Sequence, residues 1–100
     1  MNEYVVRFMA VNPEDLDGAA TERIQAAARA IPGACPRGRV LVDPSTRRIE
    51  AEFAIEVAQA MAEAARDGGR LAKEILLAAR MPDARLVEMS VRMGDPHSTD

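Results

Sequence analysis

The segment Arg48-Ile49-Glu50-Ala51-Glu52-Phe53-Ala54-Ile55-Glu56 alternates between two sets of side chains with a period of two. Neighbouring residues on a strand point to opposite faces, so this period fits a strand with one covered face and cannot be accommodated by a helix. Ile49, Ala51, Phe53 and Ile55 are thereby assigned to a core, and Glu50, Glu52, Ala54 and Glu56 to an outer surface. The rest of the chain must be compatible with a sheet covered on one side only.

Upstream, Tyr4 to Val11 alternates in the same way, with Tyr4, Val6, Phe8 and Ala10 on one face and Val5, Arg7, Met9 and Val11 on the other, which Arg7 marks as the outer one. Asn12 then stands as an N-cap, Pro13 at a first helical position, and Glu14 and Asp15 where carboxylates meet the positive end of a helix dipole. Val11 and Leu16 hold the positions of a hydrophobic staple. The sequence predicts a helix from Pro13, continued by Leu16, Ala20, Ile24, Ala27, Ala28 and Ile31 and ended by Ile31-Pro32-Gly33. Residues 33–38 read as a loop and 39–43 as a strand, and Asp43-Pro44-Ser45-Thr46 supplies the turn of a hairpin into the alternating segment.

From about Val57 to Met81 the spacing becomes helical, with Val57, Met61, Ala64, Gly68, Leu71, Ile75 and Ala79 on or near one face. Gly68-Gly69 falls in the middle, where each glycine costs a helix about 1 kcal/mol relative to alanine. Because the apolar phase runs on across the pair, one long helix, with this pair as the place for a kink, is favoured over two. A second stripe of small residues, Ala58, Ala62, Ala65, Gly69 and Ala72, suits close packing within the molecule, or a contact with another subunit. Met81-Pro82-Asp83 ends the helix, and a last strand follows with Val87, Met89, Val91 and Met93 on its core side and Leu86, Glu88, Ser90 and Arg92 outside.

The succession βαββαβ over residues 3–93 resembles the ferredoxin-like split βαβ arrangement. This implies an α+β two-layer sandwich whose four-stranded antiparallel sheet has the order 4-1-3-2 and carries two helices on one face. Residues 1–93 form the single domain, and 94–100 a flexible polar C-terminal tail. The arrangement is shared by proteins of many functions and does not choose among them. A metal chaperone of this fold would have two cysteines near the first helix, where this chain has Val11-Asn12-Pro13-Glu14. An RNA-recognition module would expose aromatic residues on the middle strands, where this chain has Arg7, Met9, Glu50, Glu52 and Ala54. The first turn resembles that of an amino-acid-sensing domain only in a general way.

Composition narrows the classes further. Asp and Glu number 16 against 13 Lys and Arg, a formal net charge of −3, and Tyr4, Phe8 and Phe53 are the only aromatic residues, so neither phosphate attraction nor base stacking favours nucleic acid. Cys35 is the single cysteine, which excludes an intrachain disulfide, a CxxC pair and a zinc finger. No stretch has the basic, apolar and small-residue succession of a signal peptide, or the roughly 18 uninterrupted apolar residues of a membrane span. A cytoplasmic protein is expected. Neither a GxGxxG nor a GxxxxGK[ST] phosphate loop occurs, and no metal or cofactor is expected.

The polar residues do not assemble into recognisable chemistry. Glu50 and Glu52 form a carboxylate pair, but acid–base work requires a pocket that separates their pKa values, and an open sheet face offers none. Arg37 and Arg39 follow Cys35 closely, where they would favour a thiolate, yet the sole histidine, His97, lies in the tail, so the thiol has no base beside it in sequence. Arg37, Arg39, Arg47 and Arg48 make the densest basic patch, which fits protection of a sheet edge or contact with an acidic protein surface. The expectation is therefore a non-enzymatic domain acting by association with a protein partner, chiefly as a homodimer. Its contact surface would be the mixed outer face of Val5, Arg7, Met9, Leu41, Glu50, Glu52, Leu86 and Glu88. The alternative is a small-molecule-binding or regulatory domain, amino-acid-sensor-like or dimeric α/β-barrel-like. Its pocket between sheet and helices would be lined by Tyr4, Phe8, Phe53, Met61 and Met89.

Overall fold

A computed structural model of the protein describes residues 2–36, 40–57 and 61–94. Strand β1 (Asn2–Val11) is followed by helix α1 (Ala20–Ala30), short strands β2 (Cys35–Pro36) and β3 (Leu41–Asp43), strand β4 (Arg48–Val57), helix α2 (Met61–Ala78) and strand β5 (Arg85–Met93). The fold is α+β. Every strand pairing among the described residues is antiparallel: β1 lies between β4 and β5, and both β2 and β3 pair with the far side of β4. Those two short strands are pieces of one interrupted edge. Counted as one strand, they give the order second, third, first, fourth, which is the expected order read from the other edge.

The alternation of β4 places its residues as the sequence predicts. Phe8 and Phe53 lie on the inner face with ring centroids 6.2 Å apart and planes tilted by 60°. Around them Tyr4, Val6, Ala10, Ile49, Ala51 and Ile55 are buried and complete the floor of the core. Helix α1 contributes Ala20, Ile24, Ala27 and Ala28, and α2 contributes Ala64, Leu71, Ala72, Ile75 and Leu76. Helix α1 packs toward β2 and β3, α2 lies over β1, β4 and β5, and the two helices touch.

Helix α2 runs unbroken through Gly68-Gly69, as the apolar phase requires, while Val57, expected in the helix, belongs to β4. Its two glycines have different jobs. A Cβ on Gly68 would stand 2.9 Å from Val6 Cγ2 and 3.1 Å from Cγ1, so the helix backbone rests directly on a fully buried, β-branched side chain of the central strand. A Cβ on Gly69 would find only the Cε of Met89, at 4.0 Å. The small-residue stripe is only partly covered: Ala72 is buried, Ala65 and Gly69 are half-buried and Ala62 is exposed, while Ala58 lies outside the described residues.

The end of α2 is a Schellman turn. Arg80 takes the left-handed conformation (φ 67°), its N–H donates to Leu77 O at 3.0 Å, and Met81 N–H donates to Leu76 O at 2.9 Å. Arg23 reaches across from α1 and donates from Nε to Ala79 O at 2.9 Å, satisfying another terminal carbonyl.

Helix α1 starts at Ala20 and not at Pro13, which corrects the sequence reading. The carbonyl of Pro13, needed for a first helical hydrogen bond, is taken by Arg47 Nη1 at 3.0 Å. Asn12 donates from Nδ2 to Glu14 O, and its backbone N–H donates to Arg47 O at 2.9 Å. The turn that starts the helix is organised instead by Asp17, whose Oδ1 accepts the Ala19 N–H and whose two carboxylate oxygens both accept from Arg23 Nη1, at 2.8 and 2.9 Å. Leu16 still reaches the core.

Two further differences alter faces or boundaries. Met9 pairs with Glu88 but Ala10 pairs with Leu86, leaving Val87 as the extra residue of a bulge. Leu86 therefore turns to the core side, and Val87, expected inside, is half-exposed. At the other edge, Cys35 and Pro36 pair with Ala54 and Phe53 where a loop is predicted. Just past the end of β5, Gly94 is buried and donates its N–H to Glu3 O at 2.8 Å. The remainder of the predicted tail lies outside the described residues.

Opposite outcomes are expected at the adjacent glycines. Gly68→Ala lowers unfolding free energy by about 1–3 kcal/mol, because Val6 has no room to yield. Gly69→Ala raises it by about 0.5–1 kcal/mol through helix propensity. Urea unfolding of both variants checks the pair. Asp17 gives a pH test: the Arg23 hydrogen bond, then the Ala19 N–H, hold its carboxyl below the ordinary carboxylate value. Its stabilising contribution is complete above that ordinary value, about 4, and is lost as pH falls through the lowered folded value. Asp17→Asn is therefore destabilising at pH 7, and denaturant titrations should show its deficit shrinking in strong acid.

Candidate functional site

The outer face of the sheet carries its polar residues in register. Arg7 lies between Glu52 on β4 and Ser90 on β5, Met9 between Glu50 and Glu88, and Val5 between Ala54 and Arg92. Arg7 Nη2 meets Glu50 Oε1 at 2.6 Å on the diagonal. Arg92 Nη2 and Glu52 Oε2, 3.9 Å apart, belong to strands on opposite sides of β1, so this second pair spans the central strand. Glu50 holds the Arg7 guanidinium above its ordinary value, first by the hydrogen bond and then by its charge, and Glu52 and Glu88 act in the same direction. Solvated pairs of this kind contribute little to stability; what they fix is the direction of the side chains.

Apolar surface lies among these charges. Val5 and Ala54 are buried although they stand outside the main core cluster, and the reach of Arg92 toward Glu52 passes beside Val5. Met9 is half-buried, and Leu41, opposite Glu50 on the edge, is 49% exposed. One shallow depression is lined by Arg7, Leu41, Glu50 and Glu52, another by Arg7, Met9, Glu50, Glu88 and Ser90. Thus Val5, Arg7, Met9, Leu41, Glu50, Glu52 and Glu88 share the expected face. Leu86 does not, because the bulge at Val87 reverses its direction.

The residues proposed to line an interior pocket are distributed differently. Tyr4, Phe8 and Phe53 are packed into the core, and Met89 is half-buried against it. Met61, expected on the covered face of α2, is 45% exposed at the first position of the helix. A cleft exists elsewhere, at the open end between α2 and β5, with a volume of about 410 Å³. Leu76 and Met81, the apolar pair of the Schellman turn, line it with Leu77, Pro82, Ala84 and Leu86, and Lys73 and Arg85 also border it. Sequence spacing marked Leu76 and Leu77 as neither face of the helix, and Leu86 was assigned to the wrong side, so this cleft was not anticipated. Its one legible sign was the helix-ending Met81-Pro82 step.

Other singled-out residues are not brought together. Cys35 is an exposed free thiol on the edge strand. Arg47 is committed to Asp15, at 3.0 Å, and to the Pro13 carbonyl. Arg37, Arg39 and His97 lie outside the described residues. Among the described residues no group of three or more His, Cys, Asp or Glu side chains is placed to hold a metal, and no helix is long and apolar enough to cross a membrane. No protein-family model matches the chain, and no curated protein matches it in sequence.

Proposed function

We propose that this is a non-enzymatic ferredoxin-like domain that acts by protein association, forming a homodimer in the cytoplasm through the helix-free face of its sheet. The observation that carries this reading is the face itself: a sheet surface without helical cover among the described residues, on which Leu41 and Met9 stand beside pre-oriented Arg7 and Glu50. Apolar atoms supply area to be removed from water, and ion-paired side chains of both signs suit a like surface related by a two-fold axis. The carboxylates Glu50 and Glu52 are half-buried and face Arg7 and Arg92, an arrangement that suits recognition more than proton transfer.

The cleft at the end of α2 favours a second reading, in which the domain holds a small ligand. Its volume falls within the usual range of about 300–1,000 Å³ for ligand sites. Apolar walls bordered by Lys73 and Arg85 suit an amphiphile with a single anionic head, of which a medium-chain fatty acid is the simplest.

Sedimentation of Arg7→Glu tests the first reading: a shift from dimer to monomer relative to the unchanged chain is expected, and an unaltered profile removes the open face as the contact. For the second, octanoate should raise the melting temperature of the unchanged chain by a few degrees, and Leu77→Asp should abolish the shift. Equal shifts in both proteins would remove the cleft.

A further inference from the structure

Strand β5 ends the sheet order, so one side of its backbone has no strand beside it among the described residues. From Glu88 to Met93 its pairing with β1 is regular, and the single bulge lies before this stretch, at Val87. An uninterrupted edge of this kind is a template for another strand unless its side chains prevent pairing. Here their order does the reverse. About Ser90 the sequence Val87-Glu88-Met89-Ser90-Val91-Arg92-Met93 is a palindrome in kind: apolar, acid, apolar, centre, apolar, base, apolar.

We infer that β5 pairs antiparallel with β5 of a second copy of this chain about a two-fold axis at Ser90, joining the two sheets into one. Directly opposed residues in an antiparallel pair share a face. This axis sets Glu88 of each copy opposite Arg92 of the other on the open face. On the helix side it sets Met89 opposite Val91. At the ends of the paired stretch Met93, 58% exposed in the single chain, comes beside the bulge at Val87, which is 51% exposed.

The neighbouring registers that keep like faces together are worse. An axis at Glu88 or at Arg92 opposes like charges, and an axis at Met89 or at Val91 sets neither charge against its opposite. The existing Arg92–Glu52 approach, at 3.9 Å with 61% of the Arg92 side chain exposed, leaves that guanidinium able to serve the new pair. The opposite edge is a poorer template, because its register shifts by two residues between Pro36, opposite Phe53, and Leu41, opposite Glu50.

This contact is separate from the one proposed above, and the two are distinguishable. Sedimentation at rising concentration should show self-association weakened about tenfold or more by Glu88→Arg or by Arg92→Glu, and restored when both are exchanged in one chain. Cysteine pairing reads the register directly. With Cys35→Ser as background, Ser90→Cys should oxidise to a linked dimer, because Ser90 faces its own counterpart. Chains carrying Glu88→Cys and chains carrying Arg92→Cys should link to each other and not to themselves. Arg7→Glu should leave the Ser90→Cys link in place even if it abolishes contact through the open face. A chain that stays monomeric, a charge exchange that fails to restore association, or a Ser90→Cys variant that does not link would overturn the inference.

Discussion

The backbone of α2 lies on the side chain of Val6 with no atoms of its own to spare between them. Gly68 makes that approach possible, and Val6 stands on the strand that is paired on both sides, so the position of the helix is set from the centre of the sheet outward. Leu71, Ala72 and Ile75 then descend between α2 and the inner residues of β1, β4 and β5, while α1 closes the remaining side with Ile24 and three alanines. Small helical residues keep the two layers close, and so Tyr4, Phe8 and Phe53 are consumed as packing. Among the described residues, what is left for recognition lies at the periphery: the sheet face opposite the helices, a cleft at the far end of α2, and the β5 edge.

Most of this architecture was legible because its signals were local and repeated. The period of two in β4, the helical phase carried through Gly68-Gly69, and the stop at Met81-Pro82 each express one element's own geometry. The start of α1 was not legible for the opposite reason. Asn12-Pro13-Glu14-Asp15 has the chemistry of a helix start, but an arginine distant in sequence takes the Pro13 carbonyl, and Asp17 organises the start one turn and more later. A tertiary hydrogen bond outweighed a local preference.

The candidate surface shows the same division. Arg7, Met9, Glu50, Glu52 and Glu88 were placed correctly because strict alternation held along β1, β4 and the regular part of β5. Leu86 was misplaced because Leu86-Val87 is an apolar pair: either residue satisfies the core pattern, and nothing in the sequence says which one the bulge sets aside. That single inserted residue hid the cleft as well, since Leu86 is one of its walls. Met61 keeps the helical phase but stands in the first turn of α2 and is 45% exposed.

Arg47 has a consequence beyond the placement of α1. Held in a left-handed conformation at the start of β4, it receives the Asn12 amide on its carbonyl and grips Pro13 and Asp15 with its guanidinium. The tip of the β3–β4 hairpin and the crossover leaving β1 are thus fastened at one residue. They should open as a single cooperative unit, so that hydrogen exchange at Asn12 reports the breathing of a turn far from it in the chain.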